Sequence, residues 1–471
     1  MKGKYRIFYI TPEIAPFISS SANANISGTL PKILKNLGHD VRVMMPNYGV
    51  VNERKYILRD VIRLRDMQVD FAKKSFSINA KSAFLPDSKV QVYFLDHDQF
   101  SSRNGIYSDT KGKETYDDNI ERFVLFNWGC VQTLRSLHWQ PDFILCNGWP
   151  SIFLPLVLRH ELKDDDFFKN TRIIFCDHSD SMQVKLGLAQ MKQAGLSADY
   201  LSDYVTSGND VGVKEIANSA CDAIVYSTDH KKKEELGQLE QFISHGIDYQ
   251  DWNPESDEKI AEKFSVDSIH LKIENKKILC DDFDLEYDAD VPLVMLLIDD
   301  DDQAEKLNDI LSLLKELNLQ VIIVSNSSVR AFETLGKEIS DTIRLKVDPS
   351  VKVKHQVVAG ADLCLQLNEE SGVVESRFLQ KMKYGAIGII PETSIKGFKP
   401  ETHEILENLS LWGKFNIDVT QSLKDVLMRM CDAYKDHAKW QKSMQEAMQI
   451  DFSLMKSGEQ YTALFKSLLK R

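Results

Sequence analysis

Three polar segments, each placed directly after a run of β-branched residues, carry side chains that could do chemistry. His178 follows the run Arg172–Cys176, and an imidazole can gain or lose a proton near neutral pH. Residues 19–25 are rich in Ser and Asn, follow the first run and can donate hydrogen bonds. Four aspartates, Asp299–Asp302, follow the run 292–298, and clustered carboxylates can bind hard cations.

Each segment also has a purely structural interpretation. A single histidine after a strand is more often a packing residue, and Ser and Asn are common in ordinary loops. Consecutive aspartates project in different directions, and acidic residues at the start of a helix stabilise its dipole. We therefore expect no metal site at Asp299–Asp302.

The elements that must position these segments are parallel strands covered by helices, because short β-branched runs alternate with amphipathic stretches. An apolar stripe between Ile26 and Leu37 predicts one helix, and Gly38 stands where a helix-terminating glycine belongs. A second helix is predicted from Asp118 to about Leu137. The strands predicted in this half are Tyr5–Ile10, Val41–Met45, Val90–Leu95, Phe143–Cys146, Arg172–Cys176 and Ala223–Tyr226.

A second series of runs begins after Asn253-Pro254 and a charged stretch, and the chain from about Leu423 to Lys470 has a helical pattern. Two successive series predict an α/β protein of two Rossmann-like, doubly wound domains, with the site in the cleft between them. The strands predicted in this half are Pro292–Ile298, Gln320–Ser325, Ile343–Val347, Leu363–Leu367 and Ala386–Ile390.

The predicted domain bounds are 1–255 for the first domain and 256–435 for the second. A helical C-terminus, 436–471, is expected to return to the first domain.

The composition favours a soluble protein without a nucleic-acid or membrane role. The 471 residues carry a net charge of −12, whereas nucleic acids and anionic membranes attract basic surfaces. No apolar run approaches the ~20 residues of a membrane span. The first strand begins within five residues of Met1, which leaves no room for a signal peptide. The seven scattered cysteines form no C-x-x-C pair, so we expect buried free thiols and a cytoplasmic location.

A colinear set of short strings runs through the whole chain, densely up to residue 254 and sparsely after it. These strings resemble those of bacterial glycogen (starch) synthases of the ADP-glucose type, which are GT-B glycosyltransferases. They are Glu13–Phe17, Leu30–Lys32, Leu37–Val43, Tyr93–His97, Gly105–Tyr107, Arg122-Phe123, Trp139–Asp142, Gly246–Asp248, Asp251–Pro254, Ala359–Leu363, Met382–Gly385, Asp451–Ser453 and Tyr461.

The resemblance implies transfer of glucose from ADP-glucose to the non-reducing end of an α-1,4-glucan, with retention of the anomeric configuration. It implies no metal and no other cofactor, because this family holds the diphosphate with basic side chains and backbone amides. An α-glucan such as glycogen or a maltooligosaccharide is then the expected partner, and ADP-glucose is the donor to be tested.

The phosphate-binding loop of the first domain departs from the family pattern. The family string K-T-G-G-L-G-D aligns with residues 19–25, which lack the lysine, the paired glycines and the acid. A leaving diphosphate needs cations and close backbone N–H groups. The loop can still donate hydrogen bonds to a neutral sugar, and its cleft candidates are Ser19, Ser20, Asn23 and Asn25.

The second domain departs in the same direction. The family segment G-R-L-x-x-x-K-G falls on 298–304, so Asp299–Asp302 stand where two cations are expected. One charge pair at ~4 Å and an effective dielectric constant near 20 contributes about 4 kcal/mol. Since ~1.36 kcal/mol is tenfold in rate, loss of one such contact predicts transfer slower by on the order of a thousandfold.

Two further segments of the second domain bear on the donor site. The family's R-F-E-P-C-G falls on Glu369–Val374, so that either Glu370 or Ser371 takes the place of the glutamate that contacts the donor glucose. The family's T-G-G turn becomes Thr393-Ser-Ile395, and a side chain obstructs close backbone approach to a phosphate.

Some family positions are kept. His178 matches the histidine that faces the reacting glucose, and we take it with Glu370 as the catalytic candidates. A neighbouring position is not kept, because Gly148 replaces an aspartate near the sugar site. The remaining cleft candidates are Asn147, Trp149, Asp248 and Thr393. Trp149 and Asp248, like the matching Trp252, also have a packing or turn interpretation.

Three functions remain open. The chain is an ADP-glucose-dependent synthase with a reorganised donor site, a transferase with another sugar donor, or a catalytically impaired pseudoenzyme that binds a glucan or a regulatory protein partner. The replaced donor-site residues favour the pseudoenzyme.

Overall fold

The computed structural model describes residues 4–18, 21–109, 115–178, 181–206, 208–227, 237–243, 246–249, 251–298, 301–325, 341–367, 378–395 and 406–470, with the backbone alone at Ala22, Asp301 and Asp302. The chain forms two compact units. The first comprises Met1–His245 and Leu454–Arg471, and the second comprises Gly246–Ser453. The domain bounds inferred from the sequence stay a prediction.

The first unit is an α/β unit with one large apolar core. Its strands are β1 Arg6–Ile10, β2 Asp40–Pro46, β3 Arg59–Asp60, β4 Met67–Phe71, β5 Lys74–Phe84, β6 Gln91–Asp96, β7 Phe143–Asn147, β8 Arg172–Asp177, β9 Lys185–Gly187, β10 Asp210–Gly212, β11 Ala223–Tyr226 and β12 Glu240–Phe242. Its helices are α1 Ala22–Asn36, α2 Asp98–Ser101, α3 Asn119–Ser136, α4 Phe153–Leu156, α5 Leu188–Gln193, α6 Ala198–Leu201 and α7 Val213–Ala220.

The main sheet of this unit has the strand order β12-β11-β8-β7-β1-β2-β6-β5-β3, with β4 paired to β5. Strands β12 to β6 along this order are parallel, whereas β3, β4 and β5 pair antiparallel. Counted along the chain, the parallel strands from β6 to β11 follow the order 3-2-1-4-5-6 of doubly wound folds. In such folds ligands bind at the carboxyl ends of the strands, where the order reverses. Here that point lies between β1 and β7.

The second unit repeats this order. Its parallel sheet runs β15-β14-β13-β16-β17-β18. The strands are β13 Leu293–Ile298, β14 Gln320–Ser325, β15 Ile343–Val347, β16 Leu363–Leu365, β17 Ile387–Pro391 and β18 Gly413–Phe415. The helices are α8 Lys272–Asp282, α9 Asp301–Glu316, α10 Val351–Gly360, α11 Glu392–Ile395, α12 Thr420–Tyr434 and α13 His437–Gln449; residues 378–383 are also helical. The order reverses between β13 and β16.

The predicted strands and helices are confirmed with small shifts of their ends. The helix predicted between Ile26 and Leu37 is α1, and Gly38 follows it with a φ of +96°, the left-handed conformation expected of a helix-terminating glycine. The C-terminal helical pattern is also confirmed, as α12, α13 and α14 Leu454–Leu468.

The last helix completes the core of the first unit. The ring of Phe465 on α14 lies 4.5 Å from the ring of Phe143 on β7, and Tyr461 is fully buried beside Cys176. Helix α13 packs in the second unit. All seven cysteines are free thiols and six are buried, the exception being the partly exposed Cys431. Every helix of the described residues is too short or too polar to cross a lipid bilayer.

Candidate functional site

The carboxyl ends of β7, β8 and β11 bring Asn147, His178 and Ser227 together. His178 Nε2 lies 3.1 Å from Asn147 Oδ1, and Nδ1 lies 3.0 Å from Ser227 Oγ. The His178 side chain is only 2% exposed. Both ring nitrogens of the predicted catalytic histidine therefore have hydrogen-bond partners inside the protein.

The Asn147 amide determines the tautomer of this ring. Its Nδ2 donates to the backbone carbonyls of Ile10 and Leu145, at 2.9 and 3.1 Å, so Oδ1 is the atom that faces His178. An amide oxygen only accepts, so His178 Nε2 carries the hydrogen and Nδ1 accepts from the Ser227 hydroxyl. Burial lowers the pKa of His178 to about 3, which keeps the ring neutral at physiological pH.

Gly148 and Trp149 form the turn that follows Asn147. Gly148 has a φ of +72° and a ψ of 165°, a region that only glycine adopts without strain. The Trp149 N–H donates to Ser181 Oγ over 3.1 Å, and the Ser181 N–H donates to the buried Asp177 carboxylate over 2.8 Å. The aspartate of the family pattern at position 148 would meet a backbone conformation unfavourable to any L residue.

Trp149 belongs to an aromatic cluster at this edge of the sheet. Its ring is partly exposed and lies 5.8 Å from the ring of Tyr107 and 5.3 Å from the ring of Phe123. Burial, and next the charge of Glu13, raise the pKa of Tyr107. A carboxylate and two partly exposed rings thus lie near each other, and small-molecule sites often combine aromatic side chains with a few polar groups.

The cation next to this aromatic cluster, Arg122, makes its hydrogen bonds within the protein. Arg122 is fully buried, and its guanidinium donates to Asn119 Oδ1 and to the carbonyl of Ile106 while lying 4.8 Å from the Phe123 ring. Burial lowers the pKa of its guanidinium. Arg122 therefore holds the loop and α3 together and is not presented to solvent as a phosphate ligand.

The N-terminus of α1 lies beside the Gly148 turn. Ser21 caps the helix by accepting from the Ala24 N–H over 3.1 Å, and its hydroxyl donates to Glu13 Oε1 over 2.5 Å. Asn23 is 2% exposed, and its Oδ1 has no hydrogen-bond partner among the described residues. A Cβ at Gly148 would lie 3.6 Å from Asn23 Nδ2, so the two segments touch. Asn25 is exposed on α1.

Two of the candidates, Asp248 and Thr393, belong to the second unit. The carbonyl of Asp248 accepts from the N–H groups of Asp251 and Trp252, which is the turn interpretation of this residue. Thr393 is exposed on α11, directly after β17. The remaining predicted positions lie outside the described residues: Ser19, Ser20, Asp299, Asp300 and Glu370. Asp301 and Asp302 are described by their backbone alone.

The structure thus brings four predicted residues into one region of the first unit: Asn23, Asn147, Trp149 and His178. Sequence reasoning did not assign Glu13, Tyr107, Ser181 or Ser227 to the site. Glu13 and Tyr107 stood inside strings typical of the family, which was a usable signal, whereas no pattern marked the two serines. Among the described side chains, no group of three or more His, Cys, Asp or Glu could hold a metal ion.

Comparisons with known proteins agree on one family. The model of the starch synthase catalytic domain matches residues 6–245. The glycogen synthase of Chlorobaculum parvum is 30% identical, with 99% of each chain covered. The glycogen synthase of Chlorobium phaeobacteroides is 29% identical over 100% of this chain and 99% of its own.

The fold comparison covers both units. The catalytic domain of starch synthase IV from Arabidopsis thaliana, bound to ADP and acarbose, matches with a TM-score of 0.80 and 20% identity over 100% of both chains. The predicted GT-B fold class is thereby confirmed. The roles of the individual site residues stay predictions.

Proposed function

We propose that this chain, which belongs to the glycogen and starch synthase family of glycosyltransferases, acts in glucan metabolism by binding an α-glucan while glucose transfer from ADP-glucose is impaired. The proposal places the protein in the cytoplasm, where it binds glycogen or a maltooligosaccharide. A regulatory protein, such as an active synthase, would be its second partner.

The arrangement of His178 is the observation that carries the proposal. A histidine that assists glucose transfer must offer a ring nitrogen to the sugar. In this structure Nε2 and Nδ1 are held by Asn147 and Ser227, and the ring is buried. Recruiting either nitrogen requires a protein hydrogen bond to break, which costs about 1–3 kcal/mol when the abandoned partner stays buried.

The donor-site sequence adds to this argument. The Ser21 hydroxyl donates to Glu13 and accepts from the Ala24 N–H at the N-terminus of α1, so it is engaged within the protein. The lysine that the family places in this loop is absent from residues 19–25. Both features favour weak binding of a diphosphate in the first unit.

The same region keeps groups suited to a neutral sugar. Trp149 and Tyr107 offer partly exposed aromatic surface, and such amphipathic rings pack against the apolar faces of ligands. The buried Asn23 Oδ1 lacks a partner among the described residues and would accept a hydrogen bond from a hydroxyl group. An α-glucan carries both kinds of surface.

Two titrations and one activity assay test this function. Calorimetry with maltoheptaose and with ADP-glucose is paired with incorporation of labelled glucose into glycogen. We expect measurable maltoheptaose binding, ADP-glucose binding that is millimolar or absent, and no incorporation above background. Micromolar ADP-glucose affinity with turnover would refute the impairment and establish an active transferase with a reorganised donor site.

A pair of variants locates the glucan site. Trp149→Ala should weaken maltoheptaose binding by about tenfold or more, because loss of one packed aromatic ring removes at least ~1.4 kcal/mol. Trp412→Ala removes a similarly half-buried ring from the second unit and should leave the affinity unchanged. Equal effects of both variants, or none of either, would contradict the assignment to the first unit.

A further inference from the structure

The second unit contains a cavity of about 190 Å³ between its sheet and α10. Strands β13 and β14, α10 and the helical segment 378–383 form its walls. The cavity therefore lies on one face of the parallel sheet and reaches toward the carboxyl ends of β13 and β14. Its lining residues are Trp252, Met295, Leu297, Val324, Lys354, Val357, Val358, Gln380 and Lys381.

The charge of this lining is one-sided. It contains two lysines and no carboxylate, in a chain whose net charge is −12. Lys381 is only 4% exposed. Among the described residues, no carboxylate lies within ion-pair distance of the ammonium group of Lys381 or of Lys354. A buried charge without a counter-charge is costly, so this site favours an anion.

The neighbour of the Lys381 ammonium is a thiol and does not neutralise it. Cys364 is 1% exposed on β16 and interacts with Lys381. Burial raises the pKa of the Cys364 thiol, although the lysine opposes that rise. The thiol therefore stays protonated near neutral pH and supplies no negative charge to pair with Lys381.

Apart from Gln380, the rest of the cavity wall is apolar, and its indole is held in place by neighbouring side chains. Trp252 stacks on His355 with ring centres 3.8 Å apart and an interplanar angle of 12°. His355 is fully buried, and its Nδ1 lies 2.7 Å from Asp257 Oδ2, which also accepts from the Tyr384 hydroxyl over 2.7 Å. Because these contacts hold the indole in place, the wall is formed before any ligand arrives.

The volume limits the size of the ligand. A cavity of roughly 150 Å³ accepts benzene, and drug-sized ligands occupy pockets of about 300 Å³ or more. A space of about 190 Å³ fits one ring with a small substituent. It is too small for a nucleoside diphosphate, and its apolar wall disfavours a free sugar.

We propose that this cavity binds a monocyclic aromatic acid. The anionic group of the ligand pairs with the Lys381 ammonium, with Lys354 as the second cation, and the ring lies against Trp252, Met295 and Leu297. The proposal does not depend on glucan binding by the first unit. Carboxylate and phosphate headgroups share this chemistry, and the probes below distinguish them.

Calorimetric titration of the full chain with benzoate, phenyl phosphate and neutral benzamide tests the site. We expect saturable binding of at least one of the two anions, at least tenfold tighter than benzamide. Lys381→Met should weaken that anion about tenfold or more and leave benzamide unchanged. Lys277→Met, which removes an exposed lysine of the same unit, should change neither.

A second variant separates loss of binding from loss of folding. Val357→Phe fills the cavity without altering its charge and should weaken all three probes, with cooperative urea unfolding as the check that each variant is folded. Equal affinity for anion and benzamide, unchanged affinity in Lys381→Met, or no saturable binding would overturn the proposal. Unchanged maltoheptaose affinity in Lys381→Met shows that the two sites are separate.

Discussion

The buried, neutral state of His178 predicts a specific dependence of stability on pH. The unfolded chain binds a proton on this residue with a pKa of about 6.5, whereas burial lowers the pKa in the folded state to about 3. Because the folded pKa is the lower one, the contribution is fully present above about pH 6.5. It is lost progressively as the pH falls from about 6.5 toward about 3.

The magnitude follows from the two pKa values. In this window the free energy of unfolding falls by about 1.36 kcal/mol for each unit by which the pH is lowered, because the unfolded state binds a proton that the folded state does not bind. Between pH 7 and pH 5 the loss amounts to about 2 kcal/mol. His178→Gln removes the titrating group, so the free energy of unfolding of the variant should fall by about 2 kcal/mol less than that of the native chain over this interval.

Urea unfolding of both proteins at pH 7 and pH 5 measures this difference, since pH effects of all other groups are common to both. His270→Gln, which removes an exposed histidine, serves as the control and should parallel the native chain. Parallel losses in the native chain and His178→Gln would refute the reasoning. So would an NMR titration in which the His178 ring protonates near pH 6.5, because that requires a solvated ring.

Two further changes test the backbone and the core by urea unfolding. Gly148→Ala should lower the free energy of unfolding by about 1–3 kcal/mol because φ is +72°. Gly237→Ala, at a position outside the left-handed region, should change it by about 1 kcal/mol or less. Equal effects of the two variants would contradict the backbone strain at Gly148. Lys276→Met should lower the free energy of unfolding by about 3–5 kcal/mol, because the buried Asp362 carboxylate, which lies 2.8 Å from the lysine, loses its cation. Lys277→Met, at an exposed position, should lower it by about 0.5 kcal/mol or less. A small effect of Lys276→Met would show that water reaches Asp362.

The doubly wound fold was predictable because parallel strands are buried on both faces and appear in the sequence as β-branched runs. Strand β5 did not meet this criterion. Of its residues, Lys74–Phe84, only Ile78 and Ala80 are buried, and the strand contains two lysines and three serines, as expected of an antiparallel strand with one solvated face. A search for apolar runs passes over such a strand.

The candidate site was predictable only in part. Asn147, Trp149 and His178 could be located because they follow strands and match family strings. The hydrogen bonds that occupy both ring nitrogens of His178 depend on Ser227, 49 residues further along the chain, and on the orientation of the Asn147 amide. Neither the contact nor the orientation leaves a pattern in the sequence. The same holds for Asn23, whose Oδ1 lacks a hydrogen-bond partner in the described part of the chain because of its three-dimensional surroundings.

The position of α14 has a consequence for synthesis of the protein. Domains generally fold as units while the ribosome is still extending the chain, beginning with the N-terminal one. Here the first unit lacks the helix carrying Tyr461 and Phe465 until the whole second unit has been synthesised, although its other residues precede Gly246. The second unit, continuous from Gly246 to Ser453, has no such delay. We therefore expect the later-translated half to reach its native state first, with the earlier half waiting for its final helix.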